Sequence, residues 1–484
     1  MAQYESIVGM EVHAQLLTQS KVFCGCDAAV FGAEPNTHTC PVCLGMPGVL
    51  PVLNRQAVEQ AIMVGLALHC SIAETAVFSR KNYFYPDLPK AYQISMYDLP
   101  LCLNGFVEID DPEDPQAPAK RIRIRRVHLE EETAKLFHAG DHSLVDFNRA
   151  GLPLLEIVTE PDIRTPEEAR QYLIKLRSIL RYLGVSTGDM EKGAMRCEPN
   201  ISLRPVGTEK LGTKVEVKNL NSFRAVRQAL EFEIQRQAAL LDRGKEVRQV
   251  TMGWDERQGR TVEQRVKEES DDYRYFPEPD LPPLHLSPTW VEEIRARQPE
   301  LPDVLRHRFE TEYGLSRSEA SLLAEDRETA LYLESAVAAA KKKDVTPQLV
   351  ANWITGDLFR LLKAENLPME AVRTAPEALV DLIALVHQGA ITANTGKAVL
   401  TEMFATGQSP ASIIGQKGLA QVSDEDELAH IVDQIVAANP DQVARYRAGK
   451  ESLLQWFVGQ VMRATRGKAN PQVVTPLIQD RLSE

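Results

Sequence analysis

Apolar and polar positions change their spacing several times along this chain, and the changes mark out its elements. In RIRIRRVHL, Ile122 and Ile124 alternate with arginines, which is the period of a half-buried strand. The apolar phase then jumps to Val127 and Leu129, so a bulge or sharp twist is predicted near Arg125. The run LPLLEIV is apolar throughout except for one carboxylate, Glu156. Two helices are marked by their ends as well as by their period. Thr165 with Glu168 makes a capping box, Pro166 takes the first helical position, and Gly184 closes the run. Leu173, Leu176, Leu180 and Leu183 form its buried stripe. The second helix runs from Ser222 to Gly244, with Phe223, Val226, Leu230 and Ile234 on one face.

Turn-rich pieces (FYPDLPKAYQ, DDPEDPQAP, FPEPDLPP) separate short β-like runs over residues 1–290. From Trp290 the text becomes rich in Ala, Leu and Glu at helical spacing, as in SEASLLAEDRETALYLESAVAAAKKK. A break at FATGQSP divides this part. The expectation is an α+β chain: a mixed α/β domain over 1–290, an all-α helical domain over 291–405, and a small all-α tail over 406–484.

Composition narrows the class. A length of 484 residues implies two to four domains. No run of 18 apolar residues occurs, and the N-terminus lacks a basic-then-apolar signal, so a cytoplasmic protein with no membrane partner is expected. Seven cysteines, an odd number in a chain this long, do not read as a disulfide framework. The net charge of −13 argues against holding nucleic acid by the overall field. Local basic patches remain at RIRIRR and at MRATRGKANPQ.

Several groups of residues carry chemistry. Glu11 and His13 flank one residue, so on a strand their side chains share a face. HLEEETAK supplies Glu130, Glu131 and Glu132, and the apolar run supplies Glu156. A carboxylate inside such a run is costly to bury unless it is paired, hydrogen-bonded or metal-bound. Carboxylates with one imidazole suit Mg²⁺ or Mn²⁺. An ion pair between Glu156 and an arginine such as Arg149, with the three glutamates as a solvated edge, is the alternative. Arg80 and Lys81 precede an aromatic, proline-locked loop, and with Arg149 could neutralise phosphate oxygens. An ordinary charged surface loop is the reading the residues alone favour, and no Walker or G-x-G-x-x-G pattern is present. Arg196, Glu198, Asn200, Glu216, Lys218 and Asn219 fall in two β-like stretches and suggest a lined pocket or a hydrogen-bonded hairpin.

Cys24, Cys26, Cys40 and Cys43 form C-x-C, thirteen residues, then C-P-x-C, close to the spacing of a zinc knuckle. Four thiolates would close the coordination sphere, so this zinc would be structural; four buried free thiols are the other reading. Cys70, Cys102 and Cys197 lie outside the pattern and read as core.

Taken together, VGMEVHAQL, FGAEPNTHTCPVCLGMPGVLPVLN, RKNYFYPDLPKAYQIS, NRAGLPLLEIVTEPD, EVKNLNSFRAV and KEESDDYRYFPEPDLPPL resemble the B-subunit family of the aspartyl/glutamyl-tRNA amidotransferases. The resemblance is near continuous from about residue 4 to 285 and returns at ANWITGDLF and GQVMRATRGKANPQVV. It implies a kinase-like cradle of the glutamine synthetase and guanidino kinase type, followed by the helical and tail domains. It implies ATP and Mg²⁺ as cofactors and phosphorylation of Glu on tRNA(Gln) or Asp on tRNA(Asn). Ammonia would come from a glutaminase A subunit of the amidase family, with a small C subunit completing a heterotrimer. This chain itself shows no glycine/serine-rich amidase signature.

By the same resemblance, Glu11, His13, Glu131 and Glu156 fall on metal-holding positions, and Lys81 on the catalytic lysine. Arg80, Arg149, Glu198, Asn200 and Lys218 complete the expected catalytic set. Glu198 stands in RCEPN where the family more often has Asp, and Glu132 likewise replaces an Asp, which leaves it outside the metal set. The predicted tail would meet the tRNA backbone through Arg445, Arg447, Arg463, Arg466 and Lys468, a salt-sensitive contact.

Overall fold

The computed structural model describes residues 4–111, 117–266, 273–419, 425–465, 469 and 471–483. The chain divides into two compact units, Met1–Leu301 and Pro302–Glu484.

The first unit is built on a nine-stranded sheet. Its strand order is Arg260–Val266, Val250–Asp255, Val215–Lys218, Met195–Pro205, Tyr4–Gln15, Pro153–Thr159, Lys120–Glu131, Cys102–Ile109 and Ser71–Ile72. Neighbours run antiparallel except Val215–Lys218 beside Val250–Asp255. Helices Arg55–Ala67, Pro166–Tyr182 and Phe223–Asp242 pack against this sheet. Two of these helices begin where predicted: Ser222 accepts from the Ala225 N–H, and Thr165 accepts from the Glu168 N–H. The Glu168 carboxylate, however, accepts from the Arg164 N–H rather than closing the predicted capping box on Thr165. The first helix approaches the sheet very closely. A Cβ on Gly65 would lie 2.3 Å from the Cys102 sulfur, so only glycine fits there.

Alternation then sorts the central strands. Val8, Met10, Val12 and Ala14 join the core, as do Leu155 and Ile157, while Glu11, His13 and Glu156 point the other way. One strand needs a correction to keep both ends of its pattern inside. Val158 pairs with Arg126, but Thr159 pairs with Ile124, so Arg125 is the extra residue of a bulge at the predicted place. On the other side of this strand, Leu103 pairs with Arg126 and Gly105 with Ile124, which sets Asn104 opposite Arg125. Asn104 has φ +57°, and its strand changes phase there too, from buried Cys102 to buried Val107 and Ile109. The two irregularities are therefore matched across the ladder.

A small sheet of Phe276–Pro277, Ser79–Asn82 and Tyr92–Ser95 carries Lys81. Helix Pro288–Ala296 belongs to the first unit: Trp290 Nε1 and Arg297 donate to Glu59, and the Gln298 amide donates to the Met63 carbonyl. The unit therefore runs past residue 290 to Leu301.

The second unit is helical throughout its described elements. Ser316 and Glu319 form a complete capping box. The helix beginning at Pro347 passes through a π-helical turn, Trp353–Leu358, inside the ANWITGDLF motif. At the C-terminal end Leu428, Val432, Phe457, Val461, Val474, Ile478 and Leu482 form a core cluster of their own. Among the described residues, no helix is long and apolar enough to cross a membrane.

Candidate active site

The sheet face that carries Glu11 and His13 also carries the buried Glu130 and Glu156. His13 Nε2 lies 3.3 Å from Glu130 Oε1 and 3.5 Å from Glu156 Oε2. One ligand atom from each of these three residues falls within 4.8 Å of the others, close enough to hold a single ion. The neighbours come from register. His13 is directly across from Glu156, which is directly across from His128, and Glu130 lies two residues along that strand. Burial by itself would discharge the His13 imidazole, but hydrogen bonds to Glu130 and Glu156 outweigh it and push its pKa up to about 10. Glu130 accepts from the Ser95 hydroxyl at 3.1 Å. Burial also works against the charge on Glu156, yet His128 and His13 hold its pKa well below the usual carboxylate range.

Glu131 is not part of this group, contrary to the expectation. The phase that buries Val127 and Leu129 carries Glu131 with them and turns His128, Glu130 and Glu132 to the opposite face, where they too are buried. Glu131 instead pairs with Lys90 at 2.7 Å and accepts from the Ile94 N–H at 2.8 Å. It borders a cavity of about 140 Å³ that is also lined by Cys24, Cys43, Gly45 and Tyr92.

Glu11 belongs to an adjoining group with Glu198 and Glu216, again with ligand atoms within 4.8 Å of one another. Asn200 donates to Glu11 at 3.0 Å, and Lys218 sits 2.9 Å from Glu198 and 3.6 Å from Glu216. Burial, then the charges of Glu156, Glu198 and Glu216, raise the Glu11 pKa. Glu198, Asn200 and Lys218 are thus brought to one place with Glu11, one group along the sheet from His13.

Lys81 reaches this face from the small sheet, its ammonium 5.0 Å from the centre of the Tyr273 ring. Burial opposes its charge, but Glu130 and Glu156 raise its pKa and hold it protonated. Arg80, next in sequence, alternates to the other side. It makes a two-pronged pair with Glu278 at 2.7 and 2.8 Å and a contact to Asp280 at 3.1 Å, which occupies its guanidinium. Arg149 is tied to the Thr133 and Ala134 carbonyls, so the arginine beside Glu156 is Arg126, at 3.5 Å.

Period-2 reasoning carried through HLEEE would have found Glu130 and His128. Glu132 answers to the same argument: Arg196 grips both its oxygens, at 2.7 and 3.0 Å. Burial disfavours its charge, but Arg196 and Arg149 outweigh that and take its pKa down to about 2.

Residues 6–292 match the GatB/GatE catalytic domain family, and residues 332–482 match the GatB domain family. The chain belongs to the GatB family. It is similar over nearly its whole length to curated proteins named as the B subunit of aspartyl/glutamyl-tRNA(Asn/Gln) amidotransferase. That of Roseiflexus sp. (strain RS-1) is 52% identical over 483 residues, 99% of this chain and 98% of the relative. Those of Caldanaerobacter subterraneus subsp. tengcongensis and Thermodesulfovibrio yellowstonii are each 51% identical, covering 100% of both chains.

Within this GatB catalytic region the four cysteines also come together. One sulfur from each lies within 4.8 Å of the others, so the cluster could hold a metal ion. Contacts of 3.9 Å (Cys40 to Cys43) and 4.0 Å (Cys26 to Cys43) are far longer than a disulfide bond. A hydrogen bond from Cys24 lowers the Cys43 pKa to about 4, and Lys21 lies 3.6 Å from its sulfur. Cys70, Cys102 and Cys197 are buried in the core, as expected.

The basic patch at RIRIRR is largely neutralised, since Arg121 pairs with Glu108, Arg123 with Asp162 and Arg125 with Glu160. In the GatB tail, Arg445 and Arg463 are exposed, and Arg447 donates to the Leu482 carbonyl. Arg466 and Lys468 lie outside the described residues.

Proposed function

We propose that this chain is the ATP-dependent subunit of a tRNA amidotransferase. It converts Glu-tRNA(Gln), Asp-tRNA(Asn) or both to the amide through a phosphorylated acyl-tRNA. The observation that carries this reading is the buried His13–Glu130–Glu156 group with Lys81 beside it. A carboxylate is a poor acyl donor because its leaving group would be oxide. Transfer of the terminal phosphoryl group of ATP to a carboxylate oxygen releases ADP and gives an acyl phosphate. Ammonia then attacks the carbonyl carbon, the C–O bond to phosphate breaks, and the amide and inorganic phosphate leave.

Glu130 and Glu156 are the residues that would hold Mg²⁺, with His13 joining them once its imidazole gives up its proton, an assignment supported by the hard oxygen donors and single imidazole they present. Bound there, the ion would offset the charge of a triphosphate meeting a carboxylate. Lys81 supplies a fixed positive charge on the same face, and Ser95 and Arg126 orient Glu130 and Glu156. Glu11, Glu198 and Glu216, bridged by Lys218, line the continuation of the site. The nine-stranded sheet of the first unit is read as the cradle of the glutamine synthetase and guanidino kinase type. The four cysteines are read as a closed structural Zn²⁺ site.

Ammonia would be made by a glutaminase A subunit, with a small C subunit completing the complex in the cytoplasm. The tail after residue 405 would meet the tRNA backbone through Arg445, Arg447 and Arg463. The test uses the assembled complex with γ-labelled ATP and Glu-tRNA(Gln) in the absence of glutamine. The wild type should accumulate label on the aminoacyl ester, whereas Lys81→Met should not, although it assembles normally. Labelling that survives in the Lys81→Met complex would overturn the assignment.

A further inference from the structure

Beside the carboxylate centre stands a group of tyrosines that the reaction scheme does not use. Tyr97 and Tyr275 stack with ring centres 4.2 Å apart and planes 12° from parallel. Tyr273 meets Tyr275 edge-on at 6.2 Å, and Tyr83 meets Tyr273 at 5.9 Å. Such pairs ordinarily close a core, yet Tyr97 is 46% exposed. Arg126 links the rings to the site. Its guanidinium carbon lies 5.9 Å from the centre of Tyr97, and its Nη2 lies 3.5 Å from Glu156. Its Nε is buried without a hydrogen-bond partner.

We infer that Tyr97, backed by Tyr275 and flanked by Arg126, is a stacking platform for an adenine base whose nucleotide reaches the His13–Glu130–Glu156 centre. The inference rests on the reading above, in which both substrates carry adenosine: ATP, and the 3′-terminal nucleotide of tRNA. A half-open aromatic face next to an arginine suits a base, because stacking needs a flat π surface and a guanidinium adds to it. The platform lies a single arginine away from Glu156, as phosphates or an acyl group at that centre require. The sequence carries no Walker or G-x-G-x-x-G pattern, and a ring surface would share in holding the nucleotide.

The experiment measures amidation by the complete complex while ATP and Glu-tRNA(Gln) are varied separately. Tyr97→Leu keeps apolar bulk and removes the π face. It should raise the KM of one adenosine-bearing substrate by roughly tenfold while kcat stays close to wild type. Tyr97→Phe should restore most of the affinity. A shift confined to ATP assigns the platform to the nucleoside triphosphate, and a shift confined to the aminoacyl-tRNA assigns it to the terminal base. Should Tyr97→Leu fail to assemble, Tyr275→Leu gives the same readout from behind the stack. Two unmoved KM values, or a Phe variant as impaired as the Leu variant, would overturn the inference. A wild-type complex that forms no labelled aminoacyl ester would instead sink the phosphorylation reading itself.

Discussion

The carboxylate centre and the thiol centre lie in the same unit but are assembled in opposite ways. His13, Glu130 and Glu156 come from three neighbouring strands, His13 more than a hundred residues of chain before the other two, and cross-strand register brings them together. The four sulfurs come from one loop, Cys24 to Cys43, and their partners are mainly one another, with Lys21 at the edge. The first arrangement places charged groups on stiff backbone and keeps them charged with no ligand present, which is how a site is prepared to stabilise charge in a reaction. The second is local and adaptable, which suits a staple. On the function proposed above, chemistry is placed on the sheet and cohesion in the loop.

The sharpest way to break this comparison is to exchange neighbours on one strand. Glu130→Gln should lower ATP-dependent labelling of Glu-tRNA by roughly a hundredfold or more, measured in the assembled complex. Glu131→Gln should act mainly on stability, through the lost Lys90 pair, with a far smaller effect on labelling. Equal losses from the two would mean that register does not separate their roles.

Next in size, Glu132→Gln removes the carboxylate gripped by Arg196 and should cost about 3 kcal/mol of stability by chemical denaturation. A change under about 0.5 kcal/mol would show the pair to be an ordinary surface bridge. At the thiol centre, Cys40→Ser should lower the melting temperature by roughly 5–10 °C and abolish stoichiometric zinc in a metal assay, while the labelling step persists at low temperature. Loss of labelling without loss of stability would move that centre from staple to chemistry. The smallest effect is expected in the tail. Arg445→Ala with Arg463→Ala should raise the KM for tRNA a few-fold and flatten its salt dependence, leaving the KM for ATP unmoved.

How much of this was legible depended on the range of the interaction. Helices closed by Thr165, Pro166 and Gly184, or opened by Ser222, declare themselves within a few residues, and the structure has them where predicted. The bulge at Arg125 was equally local, visible as a phase jump between Ile124 and Val127. The same phase already assigned Glu131 to the inner face, so the choice between Glu130 and Glu131 could have been made from alternation. Arg80 was a different matter. Its partner Glu278 lies 198 residues away, and no local pattern reveals that its charge is spent on an ion pair. Glu216 likewise joins Glu11 only because the single strand Met195–Pro205 lies between theirs in the sheet.

The matched irregularity of Asn104 and Arg125 has a consequence for how this scaffold can change length. Deleting Arg125 alone would straighten the ladder toward Thr159 but leave Asn104 without a counterpart, and deleting Asn104 alone would reverse the mismatch. Losing both together keeps Ile124, Val127 and His128 on the sides they now occupy. Anywhere from Arg126 to Glu130, by contrast, a single-residue deletion inverts every side chain beyond it, so this stretch tolerates exchange of residues far better than a change in their number.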